Sequence, residues 1–268
     1  MFSPLTFSMP LITFVTVISV LCILIYLQMK LIKLNAIDST NEYIKKIKDS
    51  IEDKEIAVIT FNQTLGKGQM GKVWLSESNK NVCISFIFKE LGINVANNFK
   101  LNIIVSLLLV KVLKNIGLKE LSVKWPNDIL SDGKKLCGIL IELNIKKTDI
   151  TQSIIGIGLN VNQSYFGDLI NATSIINSTN NHSDLDEISL KIISEFENFR
   201  NYLDNSDFNK LKRDYLELLY GYKIEKKFRI SGNVFKGKII DINSGGMLVV
   251  KIDGKKLEFK NQEIELIY

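Results

Sequence analysis

The stretch "TLGKGQMGKVW" (64–74) places glycines at 66, 68 and 71, the G-x-G-x-x-G spacing, just past the apolar run "EIAVITF" (55–61). The residues after Gly71 decide the fold class. A dinucleotide-binding βαβ unit needs a helix to start at the last glycine, so that helical N–H groups meet the pyrophosphate. Here the chain continues "KVWLSESNKNVCISFIF", in which Trp, Ser, Asn and a β-branched run open no helix. No Gly-Lys-Ser/Thr closes the loop, so a P-loop is excluded as well. The glycines therefore join two strands. Glycine lets backbone N–H groups approach an anion closely, and Lys67 and Lys72 add positive charge. A plain flexible hairpin would read the same way from these residues alone.

The remaining pattern is mixed α and β. "STNEYIKKIKDS" opens a helix, with Ser39 as N-cap and Glu42 completing a capping box. "VCISFIF" (82–88), "LSVKW" (121–125), "CGILIELNI" (137–145) and "SIIGIGLNVN" (153–162) read as strands. A helix spans 98–117, with Leu101, Ile104, Val105, Leu108 and Val112 at helical spacing and Gly117 as its C′ residue. Residues 163–182 read as an Asn/Ser-rich loop, and 184–203 and 208–220 as amphipathic helices. From Gly221 the chain alternates apolar and polar residues. Turn signals fall at Ser231-Gly232, Gly245-Gly246 and Asp253-Gly254, which predicts a small closed β-barrel.

Composition removes several chemistries. The three cysteines, Cys22, Cys83 and Cys137, are widely spaced and form no C-x-x-C, so neither a disulfide framework nor a zinc site is indicated. They suit a reducing compartment. The one histidine, His182, sits in "NSTNNHSD", which leaves Ser–His–Asp and multi-histidine metal chemistry without support. Net charge is +5, spread as single lysines, so no basic patch marks a nucleic-acid surface.

The first 29 residues stand apart. Residues 11–28 are uncharged and nearly all apolar, long enough for a membrane-spanning helix. Lysines 30, 33, 45 and 46 would then hold the downstream domain in the cytoplasm. Met29 also opens "MKLIKLNAIDSTNEY", a natural start for a domain with a first strand, and a mis-set start is the favoured reading of the two.

Three further segments carry polar chemistry. In "KWPNDIL" (124–130), Pro126 keeps Trp125 out of helix and displays Asn127 and Asp128 at a strand end. "GKKLCGILIE" (133–142) puts Lys134 and Lys135 at the mouth of an apolar strand, where a lysine can neutralise phosphate or carboxylate. "GIGLNVN" (156–162) sets Asn160 and Asn162 after a run of small residues. Each has a bland reading: a Pro-Asn-Asp turn, a solvated turn lysine, a strand with a bulge.

Taken in order, "DSTNEY" (38–43), "QTLGKGQMGKVW" (63–74), "KWPNDIL", "GKKLCGILIE" and "IGIGLNVN" (155–162) resemble the biotin protein ligases. The resemblance runs from about Met29 to the C-terminus and lacks the DNA-binding domain of the bifunctional members, which implies a ligase-only member. It implies an α+β, class II synthetase-like fold, a mixed central sheet with helices on one side, followed by a small SH3-like β-barrel. The expected organisation is an apolar segment (1–29), a catalytic domain (30–220) and a terminal domain (221–268).

The implied activity joins biotin to ATP as biotinyl-5′-adenylate and transfers it to a lysine of a biotin carboxyl carrier domain, with Mg²⁺. By resemblance, Ser39, Thr40, Asn41 and Gln63 bind biotin, and Lys67, Gly68 and Gln69 close over biotin and adenylate. Lys135 bridges the biotin carboxylate and the α-phosphate as the catalytic residue. Gly138 and Gly156 let biotin approach the sheet. Lys72, Trp74, Asn127, Asp128 and Asn160 serve ATP, with Trp74 packing on adenine, and the metal ligands stay unassigned. Where many members read Gly-Arg-Gly-Arg, this chain reads Gly66-Lys67-Gly68-Gln69, which predicts weaker closure over the adenylate. Lipoate ligation on the same fold and a non-catalytic binding module remain open alternatives. So do a homodimer and membrane contact through residues 11–28.

Overall fold

The computed structural model describes residues 28–267. The apolar run at 11–28, apart from Gln28, and Cys22 lie outside the described residues. In chain order the elements are β1 (Lys30–Leu34), α1 (Thr40–Ile47), β2 (Glu55–Thr60), β3 (Gly66–Lys67), β4 (Val73–Trp74), β5 (Asn81–Asn94), α2 (Phe99–Asn115), β6 (Leu121–Lys124), β7 (Asp128–Ser131), β8 (Lys134–Lys146) and β9 (Asp149–Asn160). Then come α3 (Ile175–Thr179), α4 (Leu185–Phe196), α5 (Phe199–Asn205), α6 (Phe208–Leu218), β10 (Glu225–Ile230), β11 (Asn233–Ile242), β12 (Leu248–Ile252), β13 (Lys255–Phe259) and β14 (Glu265–Ile267).

Seven strands form the main sheet in the order β1-β2-β5-β9-β8-β7-β6. Among the described residues only β1 and β2 of this sheet pair in parallel; its other ladders are antiparallel. On β2 every residue from Ile56 to Thr60 is buried, so both faces of the sheet need cover. On one face Ala57 and Ile59 join the large core under α2, α4, α5 and α6. On the other, Ile56, Val58, Ile87 and Ile154 pack with Ile44 of α1. The helices are therefore not confined to the one side expected for them. The α1 helix covers the opposite face because a strand apolar at consecutive positions cannot leave one face in water.

The large core is anchored by stacked rings. Phe86 lies 4.4 Å from Phe196, and Phe88 lies 4.2 Å from Phe199, centroid to centroid. All four are fully buried, each worth roughly 1.5–3 kcal/mol of transfer free energy. The segment 184–203 divides into α4 and α5 rather than running as one helix, and each piece supplies one of these rings to β5. The expected 163–182 loop contains the short α3, started by the Ser174 side chain accepting from the Asn177 N–H. Residues Val95–Asn115 are long and apolar enough to cross a membrane by length and composition only; they form the central core helix, with Leu101, Ile104 and Leu108 buried.

After Gly221, five antiparallel strands form a second sheet in the order β13-β12-β11-β10-β14. The expected turns shape it: Ser231-Gly232 and Asp253-Gly254 all take positive φ, as two-residue hairpin turns of the I′ kind require. No ladder joins β13 to β14 among the described residues, so the sheet is SH3-like in its strands without closing into the expected barrel. It docks on the main sheet through Trp125 Nε1, which donates to Gly246 O at 2.9 Å. Gly246 sits flush on Phe99: a Cβ there would lie 2.5 Å from the ring.

Candidate active site

Between the two sheets lies a cavity of about 470 Å³. It is lined by the start of α1, the glycine loop, the "KWPND" turn, the middle of β8 and β9, and the last turn of the terminal sheet. Of the residues expected to serve a ligand, Ser39, Thr40, Asn41, Gln63, Lys67, Gly68, Gln69, Lys72, Trp74, Asn127, Asp128, Lys135, Gly138 and Gly156 all line it. Asn160 does not. It is buried at the far end of β9, and its Nδ2 donates to Thr173 O at 2.9 Å.

The α1 end is built by long-range bonds. Ser39 is the N-cap, extended at φ −153°, but its side chain makes no capping bond. The expected capping box is not formed. Instead Gln63 Oε1, arriving from the end of β2, accepts the Thr40 N–H at 2.9 Å. Glu42 turns to Lys45 (2.7 Å) and Lys67 (3.1 Å), because lysines within reach outcompete a backbone amide for a carboxylate. Hydrogen bonds from Lys45, then Lys67, hold the Glu42 carboxyl below its ordinary range. Asn41 is bonded at both ends of its amide: Nδ2 donates to Glu142 Oε2 at 2.8 Å, and Oδ1 accepts from Ser85 at 2.5 Å. Lys45 also pairs with Glu142 at 2.7 Å; burial lowers its pKa, but hydrogen bonds to Glu142 and Glu42 outweigh this and raise it.

The glycine loop folds on itself as a hairpin, Gly66 opposite Trp74 and Lys67 opposite Val73. A Cβ at Gly66 would lie 2.4 Å from Trp74 O, so a side chain is excluded there. At the tip Met70 and Gly71 both have positive φ, and the Gly68 N–H donates to Lys72 O at 2.7 Å. Trp74 lies on the sheet over Gly138 and Gly158, where added Cβ atoms would sit 2.9 and 2.3 Å from its ring. At Gly156 a Cβ would lie 2.3 Å from Asn41 Oδ1. Trp74 and Asn41 thus lie directly against Gly138 and Gly156, and all four line the cavity.

On the other wall, β7 and β8 shift register between Ile129 and Leu130, which leaves Leu136 as an extra residue beside Lys135. Such a bulge re-aims the neighbouring side chains. Lys135 is further fixed by its own backbone, with its N–H donating to Asn171 O at 2.6 Å and its carbonyl accepting from Thr173 N–H at 2.8 Å. Its ammonium pairs with Asp128 at 2.8 Å and lies 5.6 Å from the Trp74 ring centre. Asn127 is bound structurally, Nδ2 to Ile139 O at 2.7 Å. Lys124 also lines the cavity; burial, and to a lesser degree Lys135 and Lys72, lower its pKa, against the pull of Asp128.

Gly158, Lys124, Glu142 and Asn261 join the site without having been expected there. The first three lie inside segments that the sequence singles out, so their signal is present; Asn261 carries none. Among the described residues no group of three or more His, Cys, Asp or Glu could hold a metal. Cys83 and Cys137 are buried and free, and burial pushes the Cys83 thiol up to about 12, which leaves it inert.

A mixed sheet with a glycine-floored cavity, a glycine-loop hairpin across it and lysines on its wall is the architecture of a biotin protein ligase fold. The family model described as "Biotin/lipoate A/B protein ligase family" matches residues 34–160, and over that stretch the chain is similar to this family. The bifunctional ligase/repressor BirA of Bacillus spizizenii is 27% identical over 241 residues, covering 88% of this chain and 74% of that protein. The biotin–[acetyl-CoA-carboxylase] ligase of Mycobacterium tuberculosis is 28% identical over 145 residues, 53% of each. Among solved structures, the biotin protein ligase of Aquifex aeolicus in complex with biotin and ATP superposes with a TM-score of 0.74 at 25% identity, covering 89% of this chain and 98% of that one.

Proposed function

We propose that this protein activates biotin with ATP and transfers it to a lysine of a biotin carboxyl carrier domain. The observation that carries this reading is the convergence, in one cavity, of the α1 start, the glycine loop and the Lys135–Asp128 pair. Residues 30–220 form the catalytic unit and 221–268 the terminal one.

In the first step a biotin carboxylate oxygen bonds to the α-phosphorus of ATP and pyrophosphate leaves. Two anions must meet, so positive charge placed beforehand is the main requirement. Lys135 supplies it, held between Asp128 and the Trp74 ring; Lys72 and Lys124 extend the positive wall toward the phosphates. Asp128 is the cavity carboxylate that would hold a Mg²⁺ carried on ATP, and that ion would supply charge screening for the polyphosphate. In the second step the carrier lysine's amine attacks the acyl carbon, AMP leaves with the bonding pair, and the nitrogen loses a proton. No enzyme nucleophile is consumed, consistent with two buried, inert cysteines among the described residues. Ser39, Thr40, Asn41 and Gln63 orient the biotin end, and Lys67, Gly68 and Gln69 close over it. The ATP requirement and the free thiols favour a cytoplasmic setting.

The test is incubation of the full chain with biotin, MgATP and a carboxyl carrier domain. Intact-mass analysis then shows one biotin per carrier, lost with carrier lysine→Arg. Mass gain with lipoate in place of biotin, or with neither acid, would overturn the reading.

A further inference from the structure

The glycine loop is gripped at both positions where many biotin protein ligases carry an arginine, and the grips come from opposite sides of the cavity. On one side the Lys67 ammonium lies 3.1 Å from Glu42 Oε1. Glu42 is itself fixed: Lys45 holds the same oxygen at 2.7 Å and reaches Glu142 at 2.7 Å, and Glu142 holds Asn41. This leads from the loop to the sheet floor at Ser85. On the other side Gln69 Oε1 accepts from Asn261 Nδ2 at 2.9 Å, across 192 residues of sequence. Asn261 belongs to the last turn of the terminal sheet, pinned by a bridge to Ile264.

We propose that Glu42 and Asn261 are positioning residues that hold the glycine loop across the cavity before any ligand binds. Biotin and ATP then meet a loop whose ordering cost is already met within the fold. This substitutes for the charge that Lys67 and Gln69 do not supply as strongly as two arginines would. It also gives the terminal sheet a task in the reaction, because the loop spans from α1 to that sheet. The inference rests on the ligase reading for its substrates, but both latch contacts are made by the chain's own residues.

Trypsin reads the latch directly, since Lys67 and Lys72 lie in the loop and are exposed. Ligand-free wild type, Glu42→Gln, Asn261→Leu and Asn261→Asp are digested, and cleavage after Lys67 or Lys72 is tracked by peptide mass against cleavage elsewhere. An exposed pair of this kind predicts loop nicking about two- to fivefold faster in Glu42→Gln and Asn261→Leu, with other sites unchanged. Asn261→Asp keeps wild-type protection, because the Gln69 amide can flip and donate to the new carboxylate. In turnover, both damaging variants raise the biotin KM more than they lower kcat. Equal loop nicking in all four proteins overturns the proposal. So does loss of protection at every site together, which would mark a general loss of fold. Added biotin and MgATP form a separate arm: no extra protection there counts against the ligase reading and leaves the latch standing.

Discussion

Gly156→Ala offers a sharp probe of how α1 and the sheet build their end of the cavity. The new methyl would sit 2.3 Å from Asn41 Oδ1 and 2.9 Å from its Cγ. Gly156 has no left-handed φ, so the backbone tolerates alanine and the entire cost is the collision. Asn41 cannot yield freely, being 3% exposed and bonded to Glu142 and Ser85. Overpacking of this kind costs roughly 1–3 kcal/mol. Losing the two Asn41 bonds adds about 1 kcal/mol each. A total of about 3–5 kcal/mol lowers the melting temperature by roughly 6–20 °C at this chain length. The same substitution in an Asn41→Ala background meets no amide. There it is neutral, or gains about 0.4–1 kcal/mol by restricting the unfolded chain. Thermal and urea unfolding of the four proteins of this double-mutant cycle measure the coupling. Equal destabilisation by Gly156→Ala in both backgrounds would refute the reasoning.

The other predictions concern charge. Lys135→Gln removes the cation beside the reacting phosphate and lowers pyrophosphate release by about 10²- to 10³-fold, with the fold intact by circular dichroism. Gln69→Arg adds a charged fork but removes the acceptor for Asn261. The slowing of adenylate dissociation is therefore read in the Asn261→Asp background, where the new carboxylate can hold the arginine. Equal dissociation rates for Asn261→Asp with and without Gln69→Arg, read by filter binding, would sink the idea. Glu42 has its folded pKa depressed below the ordinary 4.5, chiefly by Lys45 and then Lys67. Its contribution is therefore complete above that ordinary value and disappears as pH falls through the depressed one. The melting-temperature gap between wild type and Glu42→Gln stays constant near neutrality and closes only in acid.

Much of the fold is encoded in local pattern. The β-branched runs of β2 and β5, the helical spacing of α2 with Gly117 at its end, and the paired turn signals of the terminal sheet each specify their own conformation. The glycine loop's refusal to open a helix is legible for the same reason. Contacts made by distant residues are not. Ser39 and Glu42 have the right letters for a capping box, yet a glutamine 23 residues away and two lysines take the bonds. Asn160 shares its face of β9 with Gly156 and Gly158, but as the last residue of the strand it lies past the cavity's end. Asn261 gives no signal, because its partner Gln69 lies in another sheet. The cover of α1 on the second face is implicit in the consecutive apolar residues of β2, which demand burial on both sides.

The most direct test of the central claim is adenylate formation without any carrier. The full chain is mixed with biotin, radiolabelled ATP and Mg²⁺, and the nucleotide retained on the protein is identified. The account predicts one biotinyl-5′-adenylate per site, formed with an equal amount of pyrophosphate and absent with Lys135→Gln. Pyrophosphate released without a retained biotinyl nucleotide, or retention unaffected by Lys135→Gln, would contradict it.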